Sequence, residues 1–425
     1  MATTSNVIEA LKYTYMGDRV AYLFNQESPT YSVLSKTKKP QGGRGQFLLP
    51  IVVSNPGAFT GITEGGALPT ALQPDTTEAS FSLQEYVGLY DVSWKLIQDA
   101  RNSKFAFQQA IQMLDDGLRK RIMRNLNSDL LDNGKGRLFV LPAADNSSPV
   151  TVNSIPRCET GMVVDIMAVS DDDTKRGDSL TVTDVDPIAL TVTLSASPSS
   201  TSAGDYGVIQ DTCDATSNTP AYHSNGWLSV VSNANPASVV GNYGGINRST
   251  AGLSMWQAPV LSNSGTNRPL TEDILLQAQD AVRAKSGGLI KAWFSNMNIV
   301  RRYHVDILSQ ERYFALSKPG VISGGVGRTD KAVGEDGLTP YEFSGVPWYV
   351  DPFFNANVVI GADTDHFFLG VGENETPRPI SEIFENVPFF RQTSNATFEV
   401  AWYYQMEFLS DGPSYGVQVS DVAES

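Results

Sequence analysis

The chain has 425 residues, 41% of them hydrophobic and 10% aromatic, which allows two or three domains with substantial cores. Its net charge is −15, and residues 138–232 alone carry 3 basic and 12 acidic groups. An acidic chain without clustered Lys and Arg is poorly suited to sequence-specific nucleic-acid binding. No apolar run approaches 18 residues, so we predict no membrane span, and residues 1–4 do not open a signal peptide.

The chain has few side chains suited to metal or acid–base chemistry. Two cysteines, Cys158 and Cys213, exclude a disulfide scaffold and a four-cysteine zinc site. A reduced cytosolic origin fits them best, and whether they pair is left open. The histidines are His223, His304 and His366.

Residues 1–35 mix short apolar sets with Gly, Ser and Pro, which predicts an arm rather than a domain. After a turn-rich hinge come two extended runs, 46–53 and 77–94, joined by a Gly- and Pro-rich tip. We predict a long two-stranded arm. Because an isolated hairpin is marginally stable in water, this arm is expected to lie on another molecule. No Lys or Arg occurs from Gln46 through Asp91.

A long helix is predicted from the N-cap Ser103 to the left-handed stop at Asn133-Gly134. Its roughly 30 residues would span about 45 Å, which makes it a spine for other layers. Gly117 in its middle costs about 1 kcal/mol relative to Ala. One face carries an apolar stripe: Phe107, Ile111, Leu114, Leu118, Ile122, Leu126 and Leu130. The other face is basic and is expected to meet solvent or a charged partner: Arg119, Lys120, Arg121 and Arg124.

Six short strands with turns between them follow the spine helix and predict a small barrel or sandwich that is exposed and inserted. These strands are 137–141, 150–152, 162–169, 179–185, 189–194 and 206–210. The Asn-, Ser- and Gly-rich residues after them predict an irregular connection.

A helix–strand–helix unit then predicts an α+β layer domain. Thr271 caps its first helix and Gly287-Gly288 ends it, the strand covers 289–294, and Asn298 opens the second helix. Further strands, including the last two of the chain, return to a sheet: 341–350, 358–360, 367–369, 396–409 and 415–419.

The cluster of Asp363, Asp365 and His366 resembles a metal site, but a hairpin turn with a polar cap is the better interpretation. Residues 171–173 lack the spacing and glycine of a calcium loop, so we predict a solvated turn.

The glycines at 324–327 and 370–372 lack the Lys and Ser/Thr of a phosphate-binding loop and are predicted as ordinary loops. No nucleophile elbow or zinc-protease motif occurs. We therefore predict no catalytic, cofactor-binding or metal-binding residues, and no enzyme activity.

Four stretches carry a resemblance to tailed-phage major capsid proteins of the Hong Kong 97 fold. They are GQFLLP at 45–50, the helix–strand–helix at 281–304, FSGVPWYVDP at 343–352, and the strand pair at 399–416. The order of elements carries most of the resemblance. It covers nearly the whole chain except 138–232, which is similar to the β-rich insertions of some members.

The resemblance implies an α+β, Hong Kong 97-type capsid fold with peripheral and axial domains and the following segments. They are the N-terminal arm (1–35), the extended β-hairpin loop (36–98), the spine helix of the peripheral domain (99–137), the β-rich insertion domain (138–232), the irregular connection (233–267), the axial domain (268–390) and the closing strands of the peripheral domain (391–425).

The implied function is self-assembly into hexamers and pentamers of an icosahedral shell that encloses phage dsDNA without reading its sequence. The implied location is the virion, after assembly in the host cytoplasm. Portal and separate scaffolding proteins are the expected partners, with decoration proteins as a further candidate.

Some members cross-link subunits through a lysine on the extended loop. Because no lysine occurs between Gln46 and Asp91 of this loop, we predict no such cross-link through it.

Three alternatives are kept open. An encapsulin-like compartment shares the fold but encloses protein, and a β-rich carbohydrate-active enzyme would need two carboxylates about 5 to 10 Å apart in a cleft. A tail or adhesion protein would tend to show internal repeats, which the chain lacks.

The basic face of the spine helix is expected to meet either DNA or, preferably, a neighbour's extended loop with Glu64, Asp75 and Glu78.

Overall fold

The computed structural model of the chain describes residues 29–38, 46–54, 57–64, 66–70, 73–93, 104–171, 174–210, 212, 222–235, 242–250, 252–314, 327–328, 341–372, 377–379, 390–391 and 397–424. These residues form one seven-stranded sheet, two six-stranded sheets and a separate two-stranded hairpin. Residues 1–28 of the predicted arm, the predicted cap Ser103 and Cys213 lie outside the described ranges.

The extended loop is a hairpin over part of its predicted length. After helix α1 (Pro29–Val33) and strand β1 (Ser35–Lys38), strands β2 (Gln46–Ser54) and β3 (Asp75–Ser82) pair antiparallel. The predicted two-stranded arm is wrong beyond this point. Strand β4 (Gln84–Ser93) leaves the hairpin and pairs antiparallel with β20 (Thr397–Ser410), over 300 residues away. The alternation of residues 77–94 predicted strand correctly but could not identify the partner.

The spine helix is α2, Lys104–Leu130, which confirms the predicted long helix. It ends at Leu130, before Gly134, which has a φ of +88°. Its last two turns are buried, with Leu126 and Leu130 fully covered. Strand β4 crosses the helix closely at Gly88, where an added Cβ would lie 2.8 Å from the Ile122 side chain.

One six-stranded sheet is organised around β20. Strand β17 (Phe367–Val371) pairs antiparallel with β20 and parallel with β1. Strands β18 (Arg378–Pro379) and β19 (Phe390–Arg391) also pair with β20. Because β1 and β4 come from the N-terminal part of the chain, this sheet joins the two ends of the sequence.

The β-rich insertion is an antiparallel sheet in the order β5-β10-β7-β8-β9-β6, and each strand matches one of the six predicted. The Asn153 amide donates to the Val140 carbonyl at 3.0 Å, which bridges the two outer strands as in a small barrel. The strands are β5 (Phe139–Val140), β6 (Val150–Thr151), β7 (Val163–Met167), β8 (Lys175–Asp186), β9 (Thr191–Leu194) and β10 (Tyr206–Ile209).

The predicted insertion boundary at residue 232 is too late. Helix α3 (Trp227–Val230) belongs to the main hydrophobic core, outside the insertion. The Trp227 ring lies 4.8 to 5.1 Å from the rings of Phe294, Phe367 and Phe408, measured between centroids. Polarity of the surrounding Asn- and Ser-rich sequence hid this contact from pattern analysis.

The seven-stranded sheet runs β11-β21-β16-β12-β15-β14-β13 and carries two helices, α4 and α5. Thr271 caps α4 through a bond from the Ile274 amide, and Gly287 ends it at a φ of +75°, as predicted. Strand β21 pairs with β16 in this sheet, whereas the sequence predicted that all of 391–425 lies in the peripheral domain. Its elements are β11 (Val260–Leu261), α4 (Glu272–Ser286), β12 (Ala292–Ser295), α5 (Met297–Phe314), β13 (Gly327–Arg328), β14 (Tyr341–Phe343), β15 (Val346–Val350), β16 (Val359–Ala362) and β21 (Gly416–Val419).

Candidate assembly surfaces and the buried junction

The hairpin β2–β3 is buried only at its base. Phe47, Ala79 and Phe81 enter the main core, where Phe81 packs on the Tyr243 ring at 5.0 Å. At the tip the apolar side chains are open: Phe59 is 104% exposed and Leu68 83%. Large apolar groups clustered at an exposed tip are typical of a surface that contacts another molecule.

The hairpin also carries charge of one sign. Glu64, Asp75 and Glu78 are exposed along it, and no Lys or Arg lies between Gln46 and Asp91. A cationic surface is therefore its electrostatic complement.

The basic face of α2 is smaller than predicted. Arg119 is exposed, and Lys120 and Arg121 are half-buried. Arg124 is not part of this face, because it is 6% exposed and pairs with Glu159 at 3.0 Å. Burial lowers the pKa of Arg124, and the Glu159 carboxylate opposes that shift. The arginine also lies over the Phe353 ring, 4.9 Å from its centroid, so it fixes the insertion to the core.

A buried polar junction joins segments that are distant in sequence. The Asp351 carboxylate accepts from the Thr30 hydroxyl, the Asn127 amide and the Phe353 backbone amide, each at 2.9 Å. Burial raises the pKa of Asp351, and these hydrogen bonds oppose the shift. Arg157 enters the same region and donates to the Phe353 carbonyl at 2.9 Å. The junction ties the N-terminal segment, the spine helix, the insertion and the seven-stranded sheet together.

The chain returns from the insertion through residues 222–226, here called the return segment. Side chains of β4 and β20 accept hydrogen bonds from its backbone, and one of its own side chains accepts from β20. The Ser224 amide donates to the Tyr86 hydroxyl at 2.8 Å, and the Asn225 amide donates to Glu407 at 3.1 Å. The Phe408 amide donates to the Ser224 hydroxyl at 3.1 Å. A buried segment outside regular structure needs such partners, because unpaired backbone groups cost free energy.

The return segment carries one ionisable group, His223, and contacts three others, Asp129, Tyr86 and Glu407. His223 Nδ1 lies 3.0 Å from the Asp129 carboxylate, and the Tyr86 hydroxyl donates to Asp129 at 2.7 Å. Burial would lower the pKa of His223, but Asp129 outweighs it, so the pKa is raised. Burial raises the pKa of Glu407 to about 8 against the opposing hydrogen bonds from Asn225.

Pattern analysis predicted no functional residues and missed this junction. The available signal was the polar run Asn127-Ser128-Asp129 on a helix whose neighbours Leu126 and Leu130 are apolar.

The predicted Asp363–His366 turn is not a hairpin, because β16 and β17 belong to different sheets. Asp363 and Asp365 both pair with the Lys291 ammonium, and His366 pairs with Asp411 at 2.8 Å. The described residues hold no group of three or more His, Cys, Asp or Glu side chains suited to a metal ion.

Of the other candidate sites, residues 172–173 and 324–326 lie outside the described ranges, and the rest form ordinary structural contacts. Asp171 accepts from the Thr174 amide and hydroxyl, as in a solvated turn. Gly370 lies in β17 opposite Glu407, so the predicted loop at 370–372 is largely strand. The Cys158 thiol is buried, which raises its pKa to about 12. Within the described ranges, no helix is both long and apolar enough to cross a membrane.

No family model and no curated protein matches the sequence. Among solved structures, the capsid asymmetric unit of cyanophage A-1(L) matches at 14% identity over 95% of both chains, with a TM-score of 0.55. The capsid of an empty GTA particle matches at 9% identity over 99% of this chain and 100% of that one, with a TM-score of 0.47. An encapsulin complex from Synechococcus elongatus PCC 7942 matches at 8% identity over 98% and 96%, with a TM-score of 0.46. The chain has an α+β fold similar to that of the cyanophage A-1(L) capsid structure, in agreement with the resemblance that the sequence shows.

Proposed function

We propose that the chain is the major capsid protein of a tailed phage, which self-assembles into hexamers and pentamers of an icosahedral shell around dsDNA. The likeness to the cyanophage capsid chain, across 95% of both chains, is the observation that carries the proposal. The exposed hairpin tip supports it, because large apolar side chains such as Phe59 and Leu68 are stabilised when a neighbouring subunit covers them.

The proposed domains correspond to the sheets of the structure. The extended loop ends at β3, the peripheral domain combines α2 with the sheet around β20, and the insertion ends before the return segment. The axial domain is the seven-stranded sheet with α4 and α5, including β21. Residues 1–35 remain assigned to an N-terminal arm.

Further partners and the location are proposed from the same resemblance. The chain would assemble in the host cytoplasm, with portal and separate scaffolding proteins and with decoration proteins as a further candidate, and would end in the virion. No catalytic step is assigned to it.

Electron microscopy of the purified protein, expressed alone and with its neighbouring genes, tests the proposal. We expect capsomers or closed shells, with nucleic acid inside particles from infected cells. Monomers under all conditions would contradict the proposal, and shells filled with protein cargo would favour an encapsulin-like compartment.

Replacing both Phe59 and Leu68 with Ser should abolish shell formation without destabilising the monomer. Both side chains are exposed, so the free energy of unfolding should stay within about 0.5 kcal/mol of the wild-type value. Sedimentation velocity measures assembly and urea denaturation measures stability. Ile188→Ser is the control, because Ile188 is 93% exposed on the insertion. Normal shells from the double variant would remove the hairpin tip from the interface.

Reversing charge at Arg119 and Arg121, both to Glu, should weaken assembly at least tenfold in critical concentration. The cause would be repulsion from a neighbour's acidic hairpin, so the defect should shrink as salt rises. Light scattering across a salt series measures it. A matched change away from the face, Arg283→Glu on α4, should have less effect. Unchanged assembly of the double variant would argue against this contact.

A further inference from the structure

The return segment, residues 222–226, is the one connection through which the insertion rejoins the main core along the chain. His223, Ser224 and Asn225 are each at most 5% exposed. The segment lies between α2, β4 and β20, and each of these elements makes a polar contact with it. Its position therefore depends on hydrogen bonds and charge.

Glu407 is the acceptor on which the segment depends most. Its Oε1 accepts from both the backbone amide and the side-chain amide of Asn225, at 3.1 and 2.8 Å. Its Oε2 is buried and has no hydrogen-bond partner among the described residues. An ionised carboxylate in this place would leave part of its charge without solvation, so the neutral acid is the form that fits.

The groups that face Glu407 do not supply a positive charge close by. Strand β17 presents Gly370 opposite it, β4 presents Tyr86, and the 3-10 turn at 243–245 presents Tyr243. Helix α2 presents Asp129, whose negative charge disfavours ionisation of Glu407. Two cations contact these groups: His223, which is paired with Asp129, and Arg248, whose guanidinium lies 5.5 Å from the centroid of the Tyr243 ring.

We propose that the return segment is a pH-sensitive latch, closed while Glu407 is neutral and His223 is charged, and released as the pH rises. With both groups protonated, the set of Asp129, His223 and Glu407 is neutral overall. Loss of both protons leaves two buried negative charges with no cation between them. Opening the segment then lets water reach Glu407 and frees residues 222–226 from β4 and β20, while the Arg124–Glu159 pair still holds the insertion to α2.

The two titrations act in the same direction. The folded-state pKa of Glu407, about 8, lies above its usual 4.5, so its contribution falls as pH rises from about 4.5 to about 8. The folded-state pKa of His223 is also raised, so its contribution is full below 6.5 and is lost as pH rises through that raised value. Neutral to mildly alkaline pH is therefore the range of release.

Hydrogen–deuterium exchange followed by mass spectrometry tests the latch on the full, unassembled chain. Between pH 6 and 9, protection factors of peptides confined to residues 222–226 should fall at least tenfold after correction for the intrinsic rate, while the paired strand β20 keeps its protection. Peptides from the insertion core around Val164 and Ile166 should keep their protection. Because the measurement needs no shell, its outcome is independent of the capsid proposal.

Glu407→Gln is the decisive variant, since Gln keeps the acceptor oxygen for Asn225 and cannot ionise. Its protection should depend on pH less than that of the wild type, because only His223 still titrates. Glu399→Gln, on the same strand β20, is the control and should behave like the wild type. Three results would each overturn the latch. The wild type could show protection that does not change with pH, or Glu407→Gln could show the same pH dependence as the wild type. The insertion core could also lose protection together with the return segment.

Discussion

Replacing Gly226 with Ala should destabilise the protein by about 3 kcal/mol or prevent folding. An added Cβ would lie 2.4 Å from the carbonyl oxygens of Asp129 and Asp132 and 2.7 Å from that of Leu130. These are backbone atoms at the end of α2, so they cannot rotate away as a side chain would. Gly226 has a φ of −131° and a ψ of −175°, which any residue can adopt. Glycine is needed here for space, where the return segment crosses the helix end.

Urea denaturation and the yield of folded protein measure the effect. Gly117→Ala is the matched control on the same helix, because nothing lies within 4 Å of its added Cβ. That variant should gain up to about 1 kcal/mol from helix propensity. A wild-type midpoint for Gly226→Ala would show that the return segment can move away from α2 at little cost.

The contrast between these two glycines shows what the sequence can and cannot reveal. Gly117 was recognised as a helix interior glycine from its neighbours alone. Gly226 lies in polar, irregular sequence, and its contacts are with residues almost 100 positions earlier. Local patterns carry information on elements, whereas the need for glycine at 226 exists only in the assembled fold.

The same division explains the other outcomes. Helix α4 and the six insertion strands were predicted well, since caps, turns and alternation are local signals. The partner of β4 and the sheet of β21 were not, because strand pairing over hundreds of residues has no local signature. Arg124 was placed on a solvated face by its charge, and its burial follows from Glu159 in the insertion.

Replacing Arg157 with Met should cost roughly 3 to 5 kcal/mol at neutral pH. The guanidinium is 4% exposed and donates to the carbonyls of Phe353, Ser128 and Arg137 at 2.9 to 3.3 Å. Met fills a similar volume but leaves these acceptors without a donor. Arg119→Met, on the exposed side of α2, should change stability by no more than about 0.5 kcal/mol.

The deficit of Arg157→Met should also depend on pH, because buried carboxylates, among them Asp132 and Asp351, lie within its field. Burial would raise the pKa of Asp132, but Arg137 and Arg157 outweigh it and hold the pKa below its usual value. A depressed pKa adds stability above the unfolded-state value, and that stability is lost as pH falls through the folded-state value. Removing Arg157 takes part of it away. For Asp351, whose pKa burial already raises, loss of the same charge raises the pKa further.

Because of both carboxylates, the loss of unfolding free energy in Arg157→Met should be largest above about pH 5, where they are ionised in the unfolded chain. Toward pH 3 the deficit should shrink, since protonated carboxyls no longer need the arginine's charge, and the cost of the lost carbonyl hydrogen bonds should remain. Unfolding free energies from urea titrations at pH 3, 5 and 7 measure this trend. A deficit that stays constant with pH would mean that Arg157 stabilises the junction through its carbonyl hydrogen bonds alone. In that case Asp132 and Asp351 would be held by Arg137 and by the hydrogen bonds from Thr30 and Asn127.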